Sequence, residues 1–146
     1  ELSTFLEQNI RIVVLGVEER VPKKISKALR NSEEKSKNNT GGTLIFCFNY
    51  GGLREIADAT RKIIDSGLKS KDVTEETLLQ HLYHPEIPPV DLIIRTSGEQ
   101  RLSNFMLARA AYSELYFTDV QWPDFTKLDL EKALKWYADR DRRKGS

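Results

Sequence analysis

The sequence predicts a single α/β domain spanning residues 1–146, a parallel sheet with helices on both faces. The main observation behind this is alternation. Short, apolar, β-branched runs take turns with longer segments whose apolar residues recur at helical spacing, the pattern of strands joined by crossover helices. The runs themselves are nearly continuous in apolar residues rather than alternating, as expected of parallel strands covered on both sides. No linker, low-complexity tract or internal repeat divides the chain.

In chain order, Leu2, Phe5 and Leu6 fall at helical spacing, so the sequence reads as opening inside a helix. Arg11 to Val17 (RIVVLGV) is the first strand, ended by a glycine-containing turn. Pro22 suits the first turn of a helix, and Ile25, Ala28 and Leu29 share a face of it until Asn38-Asn39-Thr40-Gly41-Gly42 stops it. Thr43 to Tyr50 (TLIFCFNY) is the second strand. It leads through Gly51-Gly52 into a helix with Ile56, Thr60, Ile63 and Ile64 on one side, ended by Gly67. Thr74, followed by two glutamates, is a good helix start, because a hydroxyl caps backbone N–H groups and acids favour the positive end. The loop His84–Pro89 then feeds the third strand, Val90 to Arg95. Ser103 to Ser113 is expected to be a helix, Leu115 to Val120 the fourth strand, and Leu130, Ala133, Leu134 and Tyr137 the apolar stripe of a last helix.

Composition narrows the function. Lys+Arg number 23 against 22 Asp+Glu, a formal charge of +1, which does not provide the broad basic footprint of a nucleic-acid-coating protein. With 39% hydrophobic and 31% charged residues the chain is expected to be globular rather than disordered. Its apolar runs fall short of the roughly 18 residues of a spanning helix. The single cysteine, Cys47, lies in an apolar run and reads as a small buried hydrophobe. The first residues lack the pattern of a signal peptide, so a cytoplasmic location is expected.

Ligands of open parallel sheets bind beyond the carboxyl ends of the strands. Two places qualify. After the second strand, Asn49-Tyr50-Gly51-Gly52 allows close backbone approach and leads into a helix whose amino terminus is a candidate anion site, although paired glycines also serve simply as a tight turn. After the third strand, the nine residues Arg95 to Ser103 carry two guanidinium groups, three hydroxyls and a glycine, donors matched to phosphate oxygens. Arg95 closes an apolar strand, where a charge needs a partner: an anion, or an acid such as Asp91, Glu99 or Glu114. His81 and His84 lack a third ligand in register for a metal. Arg140, Arg142 and Arg143 read as a basic helix end. Tyr112, Tyr116, Phe117 and Trp122 read as core or subunit interface.

The stretch DLIIRTSGEQRLSNFMLARAAYSELYFTDVQWPDF, Asp91 to Phe125, resembles the signature of the cis-prenyltransferases, above all the bacterial undecaprenyl diphosphate synthases. Asn38-Asn39-Thr40-Gly41, Asn49-Tyr50-Gly51-Gly52 and the closing Arg143-Lys144-Gly145 fit the same family in the same order. The resemblance implies a homodimeric α/β enzyme using Mg²⁺ to add isopentenyl diphosphate to an allylic diphosphate, usually farnesyl diphosphate, with cis geometry. By position it implies that Arg95, Arg101 and Ser103 hold the diphosphate of isopentenyl diphosphate, that Leu102 and Asn49 belong to the substrate-binding set, and that Glu114 helps bind Mg²⁺. A long polyprenyl product implies peripheral association with the cytoplasmic face of a membrane.

The chain departs from the family pattern in three ways. The Asp-Gly-Asn-x-Arg motif that opens the family's catalytic centre does not occur in these 146 residues. Nor does a further substrate-handling segment rich in Ser, Asn, Trp and Arg. Where the family often places arginine directly after Asn-Tyr-Gly-Gly, this chain has Leu53 and then Arg54. The expectation is therefore a carboxyl-terminal portion of the family fold, lacking its first strands and inactive or nearly so alone. The alternative is a non-catalytic accessory subunit that stabilises a prenyltransferase partner. Glu114 precedes the fourth strand and so belongs to the wrong end of the sheet, which calls for a partner subunit or a bend in the chain to deliver it.

Overall fold

A computed structural model describes residues 2–141. The elements follow the order α1 (Leu2–Glu7), β1 (Ile10–Leu15), α2 (Lys23–Ser36), β2 (Gly42–Cys47), α3 (Gly52–Asp65), α4 (Glu75–His81), β3 (Leu92–Arg95), β4 (Glu114–Phe117) and α5 (Lys127–Ala138). All strand pairing is parallel, in two ladders. β1 pairs with β2 from Ile10↔Gly42 to Leu15↔Cys47, and β3 pairs with β4 from Leu92↔Glu114 to Arg95↔Phe117.

The apolar runs make the core. Val13 and Leu15, on one face of β1, pack with Ile87 and Met106, flanked by Ile45, Cys47, Tyr50, Tyr83 and Val90. Side chains of α2 satisfy two backbone donors of β1: Ile12 N–H donates to Ser36 Oγ (2.9 Å) and Val14 N–H to Glu33 Oε1 (2.8 Å). This explains why Ser36, a hydroxyl residue, is fully buried in α2. It also protects the β1 backbone from pairing with another strand.

Two helix starts carry side-chain caps, of which the sequence predicts the one at Thr74. Thr74 forms a capping box with Thr77, and Thr126 forms one with Asp129. The carboxyl of Asp129, bonded first by the Thr126 side chain and then by its backbone, is pulled down to about 2.

Four expectations need correction, the first being the α5 stripe, where Ala133 is buried but Leu130 and Leu134 are exposed. The buried stripe of α3 is Gly52, Glu55, Ala59 and Ile63, while Thr60 and Ile64 face solvent. On α2, Ile25 and Ala28 are exposed and only Leu29 is half-buried. Residues 103–113 form successive tight turns instead of a helix. Ser103, Asn104 and Met106 have φ of +48°, +66° and +46°, and left-handed residues cannot propagate a right-handed helix. The apolar spacing that suggested a helix is met by turns closed through Phe105 N–H to Leu102 O and Ala110 N–H to Met106 O. Of the aromatics, Tyr116 packs edge-on against Trp136, whereas Tyr112 and Trp122 are exposed.

Candidate functional site

The loop after β3 is shaped by its backbone. Ser97 N–H donates to Val120 O and Gly98 N–H to Thr118 O, which lays the loop along the segment following β4. Gly98 has φ +70°, a left-handed conformation that favours glycine, and a Cβ there would need only the exposed Asp119 carboxylate, 3.0 Å away, to shift slightly. Arg95, at the mouth of this loop, is half-buried; its carbonyl accepts from Thr118 N–H (3.0 Å), but its guanidinium has no hydrogen-bond or ion-pair partner among the described residues. A guanidinium partly withdrawn from water and left unpaired is costly, and an arriving anion would repay that cost. Arg101 is exposed and pairs with Glu99. Leu102 is half-buried and its carbonyl accepts from Phe105 N–H (2.9 Å). Ser103 is exposed.

The loop after β2 uses its polar groups internally. Asn49 Nδ2 donates to Val17 O (2.8 Å) and Glu19 O (2.9 Å), which braces the segment after β1. An open cleft of about 390 Å³ lies beside it, lined by Glu19, Arg20, Asn49, Tyr50, Gly51 and Arg54 among others. Arg54 is already bonded to Asp58 (3.0 Å) and Glu19 (3.4 Å). The amino terminus of α3 is not open either: Gly52 N–H donates to Asn104 O (2.7 Å) and Leu53 N–H to Asn104 Oδ1 (2.8 Å). Of the two readings of the glycine pair, candidate anion site or tight turn, the turn is the one realised, with Asn104 taking the Gly52 and Leu53 N–H groups.

Beneath this loop lies a polar cluster that sequence reasoning missed. Glu55 is fully buried, accepting from Tyr50 Oη (2.5 Å) and Tyr83 N–H (3.0 Å) and facing buried Arg109 at 3.5 Å. Arg109 also donates to the carbonyls of Ile87 (2.5 Å), Tyr83 and His84, and its Nε has no partner. Burial and the Glu55 carboxylate push the Tyr50 hydroxyl far up. A signal was available, since Glu55 occupies the i, i+3 stripe with Gly52 and precedes Ala59 by four, where a carboxylate must be buried and matched.

Glu114 lies at the amino end of β4, opposite Leu92, while Arg95 lies opposite Phe117. Three residues of strand, about 10 Å, separate the two ends. The Glu114 carboxylate is bonded by Arg140 Nε (3.0 Å), whose guanidinium lies 5.3 Å from the Trp136 ring centroid. Among the described residues no group of three or more His, Cys, Asp or Glu is placed to hold a metal ion. These residues therefore do not fit Mg²⁺ by themselves, because the one expected carboxylate is taken by a cation. His81 Nδ1 bonds Thr77 O and His84 Nδ1 pairs with Glu86. Arg142, Arg143, Lys144 and Gly145 lie outside the described residues. No helix among the described residues is long and apolar enough to cross a membrane.

Comparison with known proteins agrees with this layout. The family model described as putative undecaprenyl diphosphate synthase matches residues 1–145. An isoprenyl transferase of Thermotoga maritima is 49% identical over 99% of this chain and 63% of its own length. A trans,polycis-polyprenyl diphosphate synthase of Thermobifida fusca, specific for (2Z,6E)-farnesyl diphosphate, is 48% identical over 94% of this chain and 50% of its own. The crystal structure of lavandulyl diphosphate synthase from Lavandula x intermedia, in complex with dimethylallyl diphosphate, superposes with a TM-score of 0.90 at 36% identity, covering 99% of this chain and 65% of that one. The chain thus spans between half and two thirds of the length of these proteins. It belongs to the undecaprenyl diphosphate synthase family of prenyltransferases.

Proposed function

We propose that this chain is the carboxyl-terminal part of a single-domain cis-prenyltransferase and binds isopentenyl diphosphate on the loop after β3. In the reaction the allylic C–O bond breaks, a C–C bond forms to isopentenyl diphosphate, a proton is lost and pyrophosphate departs. The prenyl donor is an allylic diphosphate such as farnesyl diphosphate, isopentenyl diphosphate is the acceptor, and the product is a polyprenyl diphosphate. Arg95 carries this reading, as a half-buried guanidinium without a partner among the described residues at the carboxyl end of a parallel strand. It anchors the diphosphate, and Arg101 joins after leaving Glu99. Leu102 and Ser103 complete the contact, and Asn49 acts by bracing the neighbouring loop.

The allylic half of the site and its Mg²⁺ need the Asp-Gly-Asn motif, which these 146 residues do not contain. Glu114, at the far end of β4 from Arg95, serves that site only across a homodimer interface. The lipid product places the protein peripherally at the cytoplasmic membrane face. Engagement of Glu114 by Arg140 favours one second reading, a non-catalytic subunit that stabilises a prenyltransferase partner.

An assay with labelled isopentenyl diphosphate, farnesyl diphosphate and Mg²⁺ tests the proposal. The expected result is saturable retention of isopentenyl diphosphate with no condensation by this chain alone, and condensation by a longer form carrying the Asp-Gly-Asn motif. Failure of both forms to retain isopentenyl diphosphate would overturn it. In the longer form, mixing Glu114→Ala with Arg95→Ala subunits restores activity if the site is shared between protomers. No recovery on mixing counts against the shared site.

A further inference from the structure

Asn104 is engaged by both limbs of the site. It directly follows Ser103 in the loop after β3, yet its backbone carbonyl accepts from Gly52 N–H and its side-chain Oδ1 from Leu53 N–H, a bond spanning 51 positions. These are first-turn donors of α3, a helix that begins after Gly51 with no side-chain cap of its own. Asn104 therefore caps that helix from another part of the chain. Its amide also accounts for the glycine pair. A Cβ at residue 51 would stand 2.8 Å from Asn104 Nδ2, and one at residue 52 would stand 2.9 Å from Leu107 N and 3.1 Å from Asn104 O. Gly51 and Gly52 are small because the 104–107 turn lies on them. Asparagine suits the post because it tolerates the left-handed φ of +66° while presenting an acceptor.

We propose that Asn104 is a positioning residue that clamps the Asn49–Gly52 segment to the Arg95–Ser103 loop, so that the loop holding the diphosphate and the amino end of α3 move as one body. The ligand in this inference rests on the reading of that loop given above, whereas the clamp does not depend on it.

Two variants separate side-chain capping from backbone freedom. Asn104→Asp keeps the acceptor, and Asn104→Gly keeps the left-handed backbone but loses it. Amide hydrogen exchange at Leu53 is expected to quicken about fivefold or more in Asn104→Gly and to stay near wild type in Asn104→Asp, as follows from losing one hydrogen bond. Titration with isopentenyl diphosphate is expected to show affinity about fivefold weaker in Asn104→Gly and restored in Asn104→Asp. Unchanged Leu53 exchange in Asn104→Gly overturns the clamp, as does an Asn104→Asp variant as defective as Asn104→Gly. Freed Leu53 with unaltered affinity overturns the positioning role. If the wild-type protein binds no isopentenyl diphosphate, the functional reading fails while the exchange result still decides the clamp.

Discussion

The loops after β2 and β3 occupy equivalent ends of parallel strands, but their polar groups are used differently. After β2, Asn49 braces two carbonyls, Tyr50 donates to Glu55, and Arg54 pairs with Asp58 and Glu19. After β3, the Arg95 guanidinium has no partner among the described residues. The difference teaches that residue type does not separate scaffold from site. Arginine stands on both sides, as Arg54 after β2 and as Arg95 and Arg101 after β3, and only the bonding partner reveals which guanidinium is left for a ligand.

The sharpest way to break this comparison is to damage the saturated side. Arg109→Ala strands Glu55 in the interior and frees three carbonyls, so a loss of about 3–5 kcal/mol is expected from a denaturant titration. A loss below about 1 kcal/mol would show that the cluster is not a structural unit. Arg95→Ala probes the open side, where stability is expected to hold or to rise by up to about 1 kcal/mol, because no internal bond is lost. A drop of about 2 kcal/mol or more in its thermal midpoint analysis would place Arg95 in the scaffold.

Weaker effects refine the picture at the β4 end. Arg140→Gln is expected to cost under about 1 kcal/mol, since its partner Glu114 is a partly exposed carboxylate. A larger loss in the same titration would make the pair a scaffold element. The smallest effect is in acid. The Asp129 carboxyl is held at about 2, below its ordinary value near 3.8, so its contribution to α5 is present above about pH 4 and lost as pH falls towards about 2. Asp129→Asn is expected to remove this acid-dependent step in α5 helicity. A wild-type curve identical to that of the variant would contradict the assignment.

Much of the fold was legible in the chain itself. The mainly apolar stretches Arg11–Val17 and Thr43–Tyr50 announce the strands found at Ile10–Leu15 and Gly42–Cys47, and the Thr74 cap announces its helix. Residues 103–113 were not legible as turns. Apolar spacing at Phe105, Leu107 and Ala110 is the same for a helix as for turns folded over a core, and the left-handed φ values arise from tertiary contacts. In the site, Arg95 stood out because a cation ends an apolar strand. Asn104 did not, because its partners, Gly52 and Leu53, lie some fifty residues away in sequence and meet it only in the folded chain. Glu55 and Arg109 were hidden for a related reason: each looks like a surface charge until the other is buried against it.

Calorimetric titration of isopentenyl diphosphate into wild type, Arg95→Ala and Arg101→Ala tests most directly whether the unpaired guanidinium is the anchor. Loss of a charge-assisted contact from Arg95 is expected to weaken binding by tenfold or more, on the order of 1.5–3 kcal/mol. Loss of Arg101, which must first leave Glu99, is expected to weaken it less. Equal affinity in wild type and Arg95→Ala would contradict the account.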